Sequence, residues 1–195
     1  MNILNKNNRH ASEPYLILEI CNGNEKAYEE LYFEYYYQLC RFAESITKCS
    51  ELARDIVQEV FLNIWVKRKS WEVKHSLKAY LYQAVRNQAL NMVEQQGARH
   101  GLSVRLKEEF DMQSKATAEE GDDPASKLPG LINQIWELVE EMPDQRKMVF
   151  VLHRKHGLSY LEISEVMGIA RKTVENHMGK VFQELREKLD TRVYL

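Results

Sequence analysis

The sequence has no long apolar run, few prolines and few cysteines. Its 195 residues include only 4 prolines and 3 cysteines, while 44% of the residues are hydrophobic. This composition is typical of a folded protein and excludes a disordered chain. No apolar run approaches the ~20 residues that span a bilayer, and the polar start MNILNKNNRH lacks the apolar core of a signal peptide. We therefore expect no membrane insertion and a cytoplasmic location.

The motifs of catalysis and metal binding are also missing. The sequence has no glycine-rich phosphate loop, no nucleophile elbow and no carboxylate pair in a recognisable motif, so we expect no enzymatic activity. Cys21, Cys40 and Cys49 have spacings that match no zinc pattern, and we expect reduced, mostly buried thiols. His153 and His156 can share a helical face, but no third ligand is nearby. We expect neither a metal nor a cofactor.

The net charge of -2 is small, and its distribution divides the chain. Residues 1–97 carry twelve basic and twelve acidic side chains, and residues 128–195 carry ten of each. The segment between them carries five basic and seven acidic residues and contains the turn-forming stretch GDDP. We interpret residues 98–127 as a flexible acidic linker, because structureless loops longer than ~15 residues are uncommon inside a domain. A long surface loop within one domain is the alternative.

The first 97 residues contain three segments with helical periodicity. They begin after Asn24, at Ser50 and at Ser76, all of them good capping residues, and the third ends before Gly97. No alternating strand pattern or Asn-Gly hairpin signal interrupts them. The sequence therefore predicts an all-α fold. The residues predicted to face the core of the first two segments are Leu31, Tyr35, Leu39, Phe42, Leu52, Ile56, Val60 and Ile64.

Residues 158–180, LSYLEISEVMGIARKTVENHMGK, are typical of a helix-turn-helix. Ser159 and Glu162 form a capping box that starts the first helix, and Gly168 supplies the backbone freedom that stops it. Ile169 then fills the turn. The predicted apolar side of the first helix is Leu161, Ile163, Val166 and Met167, and that of the second is Val174, Met178, Val181 and Leu185.

The opposite face of the second helix is polar and basic. It carries Arg171, Lys172, Thr173, Asn176 and Lys180. This layout fits a recognition helix whose first residues enter the major groove of DNA. An ordinary helical hairpin with a solvated polar face is the alternative.

Three motifs in sequence resemble those of the extracytoplasmic-function sigma factors of bacterial RNA polymerase. They are ARDIVQEVFLNIWVKRKSW, LKAYLYQAVRNQALN and, after the linker, LPGLINQIWELVEEMPDQRKMVFVLHRKHGLSYLEISEVMGIARKTVENH. The resemblance covers nearly the whole chain apart from the first dozen residues and the linker. It implies two small helical domains, with sigma region 2 at 12–97 and sigma region 4 at 128–190. It also implies a factor that binds core polymerase, recognises two promoter elements and helps to open the DNA.

The resemblance implies a polymerase-binding surface on the second helical segment. In this family the region docks on the clamp helices of the β′ subunit, and the second domain meets the β flap. The residues concerned here are Asp55, Gln58, Glu59 and Asn63. From the residues alone, such a face is more often a solvated surface. Trp65 is either an interface anchor or a core residue.

The resemblance also implies two DNA-binding surfaces. For the downstream (-10) element, where a base is flipped from the non-template strand, the implied residues are Trp71, Lys74, His75, Lys78, Asn87 and Asn91. The stretch NMVEQQGARH has fewer cations than many relatives carry there. For the upstream (-35) element we predict Arg171 and Asn176 as base readers, and Lys172 and Lys180 as phosphate contacts. His177 is predicted to be structural.

Two rival functions remain from the sequence. A response-regulator-type transcription factor would share the helix-turn-helix and bind duplex DNA as a homodimer, but it needs a receiver domain on a parallel sheet. A helical metal-dependent hydrolase needs clustered ligands. The family resemblance further implies an anti-sigma factor as a partner, and a linker that lies along the positively charged cleft of the polymerase.

Overall fold

A computed structural model of the chain describes residues 9–73, 76–103 and 127–193. Within these ranges the chain is helical and contains no strand, which confirms the predicted all-α class. The helices are α1 (Arg9–Cys21), α2 (Glu25–Thr47), α3 (Ser50–Val66), α4 (Leu77–Ser103), α5 (Lys127–Glu140), α6 (Asp144–Arg154), α7 (Tyr160–Met167) and α8 (Arg171–Val193). A short 3-10 helix, Arg68–Ser70, follows α3. None of these helices is long and apolar enough to cross a membrane.

The chain forms two compact units, the first built mainly from residues up to Gly101 and the second mainly from residues after it. Helices α1 to α4 build the first unit and helices α5 to α8 build the second. Each unit has its own apolar core, centred on residues such as Leu31 and Phe42 in the first and Leu152 and Val174 in the second. The predicted architecture of two small helical domains is therefore confirmed.

Helices α2 and α3 pack antiparallel and form the centre of the first unit. Tyr28, near the start of α2, lies 4.8 Å from Trp65 near the end of α3, measured between ring centroids. Tyr32 lies 4.9 Å from Phe61 in the same way. Aromatic pairs at these distances contribute ~0.5–1.5 kcal/mol beyond the area they bury. The predicted core positions of α2 are buried, while Leu52 of α3 is half-buried.

The predicted helix starts are confirmed at two positions and wrong at one. The Asn24 side chain accepts hydrogen bonds from the backbone N–H groups of Lys26 and Ala27 at 3.1 and 3.3 Å, and Ser76 accepts one from Ala79 at 3.2 Å. Ser50 is instead the first residue of α3 and Cys49 occupies its cap. Among the described residues, no side-chain hydrogen bond caps α3, and the Thr47 hydroxyl accepts the N–H of Cys49 itself at 3.3 Å.

Helix α4 is longer than the sequence analysis predicted. It continues through Gly97 to Ser103, so the first six residues of the predicted linker are helical. Gly97 and Gly101 each cost the helix only ~1 kcal/mol relative to alanine, and no proline follows until Pro124. The rest of the predicted linker up to residue 126 lies outside the described residues.

The second unit contains the predicted helix-turn-helix in α7 and α8. The Ser159 hydroxyl accepts the Glu162 N–H at 3.3 Å, and the Glu162 carboxylate accepts the Ser159 N–H at 2.8 Å, so the capping box is confirmed. Gly168 has a φ of 65°, which favours glycine. Leu161 is 56% exposed, against the prediction. It lies two residues from the buried Ile163, and residues two apart on a helix face nearly opposite sides.

Candidate functional site

The predicted polymerase-binding residues form one exposed face of α3. Asp55, Gln58, Glu59 and Asn63 are all exposed. They stay exposed because Ile56, Val60 and Ile64 turn the other side of the helix into the core, with exposed fractions of 0%, 6% and 3%. We call these four polar residues the α3 polar face.

Two features of this region were not anticipated from the sequence. The Gln88 side-chain N–H of α4 donates a 2.8 Å hydrogen bond to the Glu59 carboxylate, so Glu59 is held in place across the helix pair. Leu62 and Val66 of α3 are 59% and 65% exposed. Leu62 lies three and four residues after Glu59 and Gln58, on the same side of the helix. The surface therefore combines acidic, amide and apolar groups, as protein interfaces do.

Trp65 belongs to the packing of the first unit. Its half-buried ring lies between Tyr28 and the Arg68 guanidinium, whose central carbon is 4.4 Å from the ring centroid. Arg68 also donates to the Trp65 carbonyl at 2.8 Å. Of the two roles considered for Trp65, the structure favours core packing.

A cleft opens where the end of α3, the following loop and the start of α4 meet. It has a volume of about 200 Å³. Its apolar wall is formed by Val60, Ile64, Tyr80 and Ala84, and its polar wall by Asn63, Lys67 and Gln88, with Trp71 joining them. The volume is below the ~300–1,000 Å³ of drug-sized sites, so the cleft fits a small ring.

Trp71 lies deep in this cleft. Its ring is 7% exposed and lies 5.9 Å from Tyr80, and its carbonyl accepts the Cys21 thiol at 3.6 Å. The indole Nε1 is buried without a hydrogen-bond partner among the described residues. Such a burial was not expected for a residue predicted to stack on a base.

The other predicted downstream contacts differ in exposure. Asn87 and Asn91 are exposed one turn apart on α4, and Lys78 is half-buried near its start. Lys74 and His75 lie outside the described residues. Lys67, Asn63 and Gln88 were not assigned to this DNA site from the sequence. Only the packing of α3 against α4 brings them to the cleft.

The predicted upstream contacts lie on α8. Arg171, Lys172, Asn176 and Lys180 are exposed and Thr173 is half-buried. The predicted core side of α8 is buried, with exposed fractions of 0% for Val174 and 1% for Met178. His177 is half-buried at the edge of that side. Helix α8 thus presents its cations and amides to the outside of the second unit.

An acidic residue, Glu175, lies among these cations. Its Oε1 is 3.3 Å from the Arg171 Nε, and its Oε2 is 3.4 Å from the Lys172 Nζ. Glu175 was not among the residues predicted from the sequence to contact DNA. Its position four residues after Arg171 could have predicted the ion pair, because residues four apart on a helix are neighbours.

Comparison with protein-family models identifies both units. Residues 31–99 match sigma-70 region 2 and residues 132–185 match sigma-70 region 4, and together they cover more than half of the chain. The region 2 match lies in the first unit, and the region 4 match lies mainly in the second.

Full-length relatives agree with this. The chain is 25% identical to the ECF RNA polymerase sigma factor SigW of Bacillus subtilis, over 89% of this chain and 94% of that protein. It is 24% identical to the ECF RNA polymerase sigma-E factor of Escherichia coli, over 93% and 94%.

Solved structures share the fold. CnrH, in complex with the cytosolic domain of CnrY, matches with a TM-score of 0.62 at 19% identity, over 92% of this chain and 98% of that one. The sigma factor RpoE of Bartonella quintana, in complex with the anti-sigma factor NepR, matches with a TM-score of 0.61 at 20% identity, over 85% and 98%. With both regions in order and relatives matched along their length, the chain belongs to the extracytoplasmic-function sigma factors and directs transcription initiation by RNA polymerase.

Proposed function

We propose that this sigma factor binds core polymerase through the α3 polar face and contacts promoter DNA through the cleft and through α8. The observation that carries the proposal is that the two units expose surfaces of different chemistry. The first unit exposes a mixed acidic, amide and apolar surface beside a small cleft, whereas the second exposes a basic helix. The α3 polar face and the cleft adjoin each other and share Asn63, whereas α8 belongs to the second unit. The chain acts by binding, with no catalytic step of its own.

The α3 polar face suits a protein partner better than DNA. Asp55 and Glu59 are acidic and exposed, so they repel phosphates, and the neighbouring Leu62 offers apolar area. The β′ clamp helices are the proposed partner, as in the family. The hydrogen bond from Gln88 fixes the Glu59 carboxylate before binding, which lowers the entropy lost when the complex forms.

The cleft suits an unstacked base of the downstream element. Its apolar wall and Trp71 surround a planar ring, while Asn63, Lys67 and Gln88 supply hydrogen-bond donors at its edge. A base enters such a site only when it leaves the duplex, so its capture favours the open promoter. Exposed Asn87 and Asn91, with Lys74, His75 and Lys78, are the proposed contacts to the strand around it.

Helix α8 is the proposed reader of the upstream element in duplex DNA. Arg171 and Asn176 are assigned to base edges, Lys172 and Lys180 to phosphates, and Thr173 to the boundary between them. We assign residues 12–97 to polymerase binding and the downstream element, 98–127 to the linker, and 128–190 to the upstream element and the β flap. The proposed location is the cytoplasm, because RNA polymerase and the chromosome are there.

An anti-sigma factor is the proposed regulator. Two proteins of similar fold were solved with such partners or with a cytosolic domain bound, CnrH with CnrY and RpoE with NepR. On this chain the exposed apolar residues Leu62 and Val66 border the α3 polar face. A partner that covers them also blocks the proposed polymerase surface.

The proposal is tested by pull-down of core polymerase with the full chain. Replacing both Gln58 and Glu59 by alanine is expected to weaken core affinity at least tenfold while leaving folding intact, because exposed substitutions change stability by less than ~0.5 kcal/mol. The matched control replaces Gln38 and Glu44, an exposed glutamine and glutamate of α2. Unchanged core affinity of the Gln58 and Glu59 variant, or an equal loss in the control, contradicts the assignment.

A further inference from the structure

Glu175 lies between the two cations at the start of α8 and is less exposed than either. The side chains of Arg171 and Lys172 are 64% and 79% exposed, and that of Glu175 is 35% exposed. The two carboxylate oxygens of Glu175 form ion pairs with different cations, Oε1 with Arg171 and Oε2 with Lys172. The carboxylate therefore lies beneath the two positive groups and fixes where they point.

Helix stability alone gives a weak reason for this arrangement. The first turn of α8 contains no acidic residue, although negative charge there is favoured by the helix dipole. Arg171 and Lys172 are placed at the positive end of the dipole instead. Exposed ion pairs of this kind contribute little to stability, and a basic residue N-terminal to its acidic partner is the weaker orientation.

The way in which Glu175 holds Arg171 leaves the outer edge of the guanidinium available. The Glu175 Oε1 lies 3.3 Å from the Arg171 Nε, and Arg171 has no other ion pair among the described residues. The two terminal Nη groups then remain for a planar, two-pronged acceptor. Guanine presents that acceptor through O6 and N7 in the major groove, and arginine is its commonest partner.

We propose that Glu175 is a positioning residue for promoter recognition: it holds the Arg171 guanidinium through Nε, so that its Nη groups meet one guanine of the upstream element. This inference rests on the proposed reading of that element by α8. It assigns guanine as the base that Arg171 reads. It also gives a role to an acidic residue, although a negative charge near the phosphates weakens general binding to DNA.

The inference predicts two effects of opposite sign when Glu175 is replaced by alanine. Preference for guanine at one base pair falls by roughly tenfold, because Arg171 is no longer held in the bidentate geometry. Affinity for unrelated DNA rises, because a negative charge near the phosphates is removed. Glu175→Gln keeps an oxygen at the same position without the negative charge, so only part of the preference is expected to return.

The experiment selects a library of randomised upstream elements with holoenzyme assembled from the full chain and core polymerase. The variants are Glu175→Ala, Glu175→Gln, Arg171→Ala and the double alanine variant. Glu187→Ala removes the same charge three turns further along α8 and serves as the control. We expect Glu175→Ala and Arg171→Ala to relax the same base pair, with the double variant no worse than Arg171→Ala. Thermal unfolding checks that each variant is folded.

The outcomes separate the inference from the proposed function. If Arg171→Ala relaxes one base pair and Glu175→Ala relaxes none, Glu175 does not position Arg171, while α8 still reads the element. If Glu175→Ala relaxes a different base pair, also in the Arg171→Ala background, Glu175 reads a base itself and the inference is wrong. If Arg171→Ala changes no base pair, both the role of Arg171 and the inference are refuted.

Discussion

Replacement of Trp71 separates packing from DNA binding at the cleft. Its side chain is 7% exposed, contacts Tyr80, and leaves its Nε1 without a partner among the described residues. Truncating a buried tryptophan to alanine costs ~3–5 kcal/mol, which is a large part of the ~5–15 kcal/mol that stabilises a domain. We therefore expect Trp71→Ala to destabilise the first unit severely, so that any loss of DNA binding in that variant reflects unfolding.

Trp71→Phe isolates the indole N–H. The phenyl ring keeps most of the packing, and no hydrogen bond among the described residues is lost. Removing a buried donor that lacks a partner recovers part of a desolvation cost of ~1–3 kcal/mol, which offsets the lost ring volume. We expect the free energy of unfolding to change by less than ~1 kcal/mol. If a bound base accepts from Nε1, affinity for single-stranded downstream DNA falls by roughly 2- to 12-fold.

The assay for both variants is urea unfolding of the full chain followed by circular dichroism, with DNA affinity measured for folded variants. Glu72→Ala changes the exposed neighbour of Trp71 and is expected to stay within ~0.5 kcal/mol of the parent protein. The packing argument is refuted if Trp71→Ala is as stable as Glu72→Ala. The role of Nε1 is refuted if Trp71→Phe binds the single strand as tightly as the parent.

Three further predictions concern the two units separately. Gly168→Ala is expected to destabilise the second unit by ~1–2 kcal/mol in thermal unfolding, because the φ of Gly168 is 65° and lies in the left-handed region. Gly179 lies inside α8 with open space around its Cβ position, so Gly179→Ala is expected to stabilise the unit by ~0.5–1 kcal/mol. A thiol reagent is expected to label exposed Cys49 first and Cys40 slowly, since burial raises the pKa of the Cys40 thiol; equal rates contradict this. Burial raises the pKa of Tyr82 and raises the pKa of Tyr32 to about 12. Their neutral forms therefore stabilise the fold below pH ~10, and this contribution is lost as pH rises through the raised pKa values. Phenolate absorbance and unfolding experiments at alkaline pH measure this loss.

The elements that could be predicted from the sequence are those fixed by local chemistry. Asn24, Ser76 and the pair Ser159 and Glu162 act within three residues of themselves, so their caps follow from the residue types. The buried side of α8 follows from spacing alone. The cysteines were harder, since Cys49 is exposed and the other two are half-buried, against the expectation of mostly buried thiols. Burial of a cysteine depends on the helix packed beside it.

The features missed at the candidate sites depend on contacts between helices. The Gln88 to Glu59 hydrogen bond joins residues 29 positions apart, and no local pattern indicates it. The cleft likewise needs α3 and α4 in place before Lys67 and Asn63 face the same space as Tyr80. The family resemblance therefore suggested which segments contact DNA or polymerase, but neither it nor the residue types indicated which side chains act together.

Two departures from ordinary folding rules coincide with the proposed DNA contacts. Arg171 and Lys172 occupy the end of α8 where the helix dipole disfavours cations, and Trp71 buries a hydrogen-bond donor without a described partner. At the start of α7, by contrast, both members of the capping box are used. A phosphate or guanine beside α8, and a base acceptor in the cleft, would remove both costs at once. On the proposed contacts, these two positions are less favourable in the free protein than in the same chain bound to open promoter DNA, as expected where binding rather than folding determines the residues.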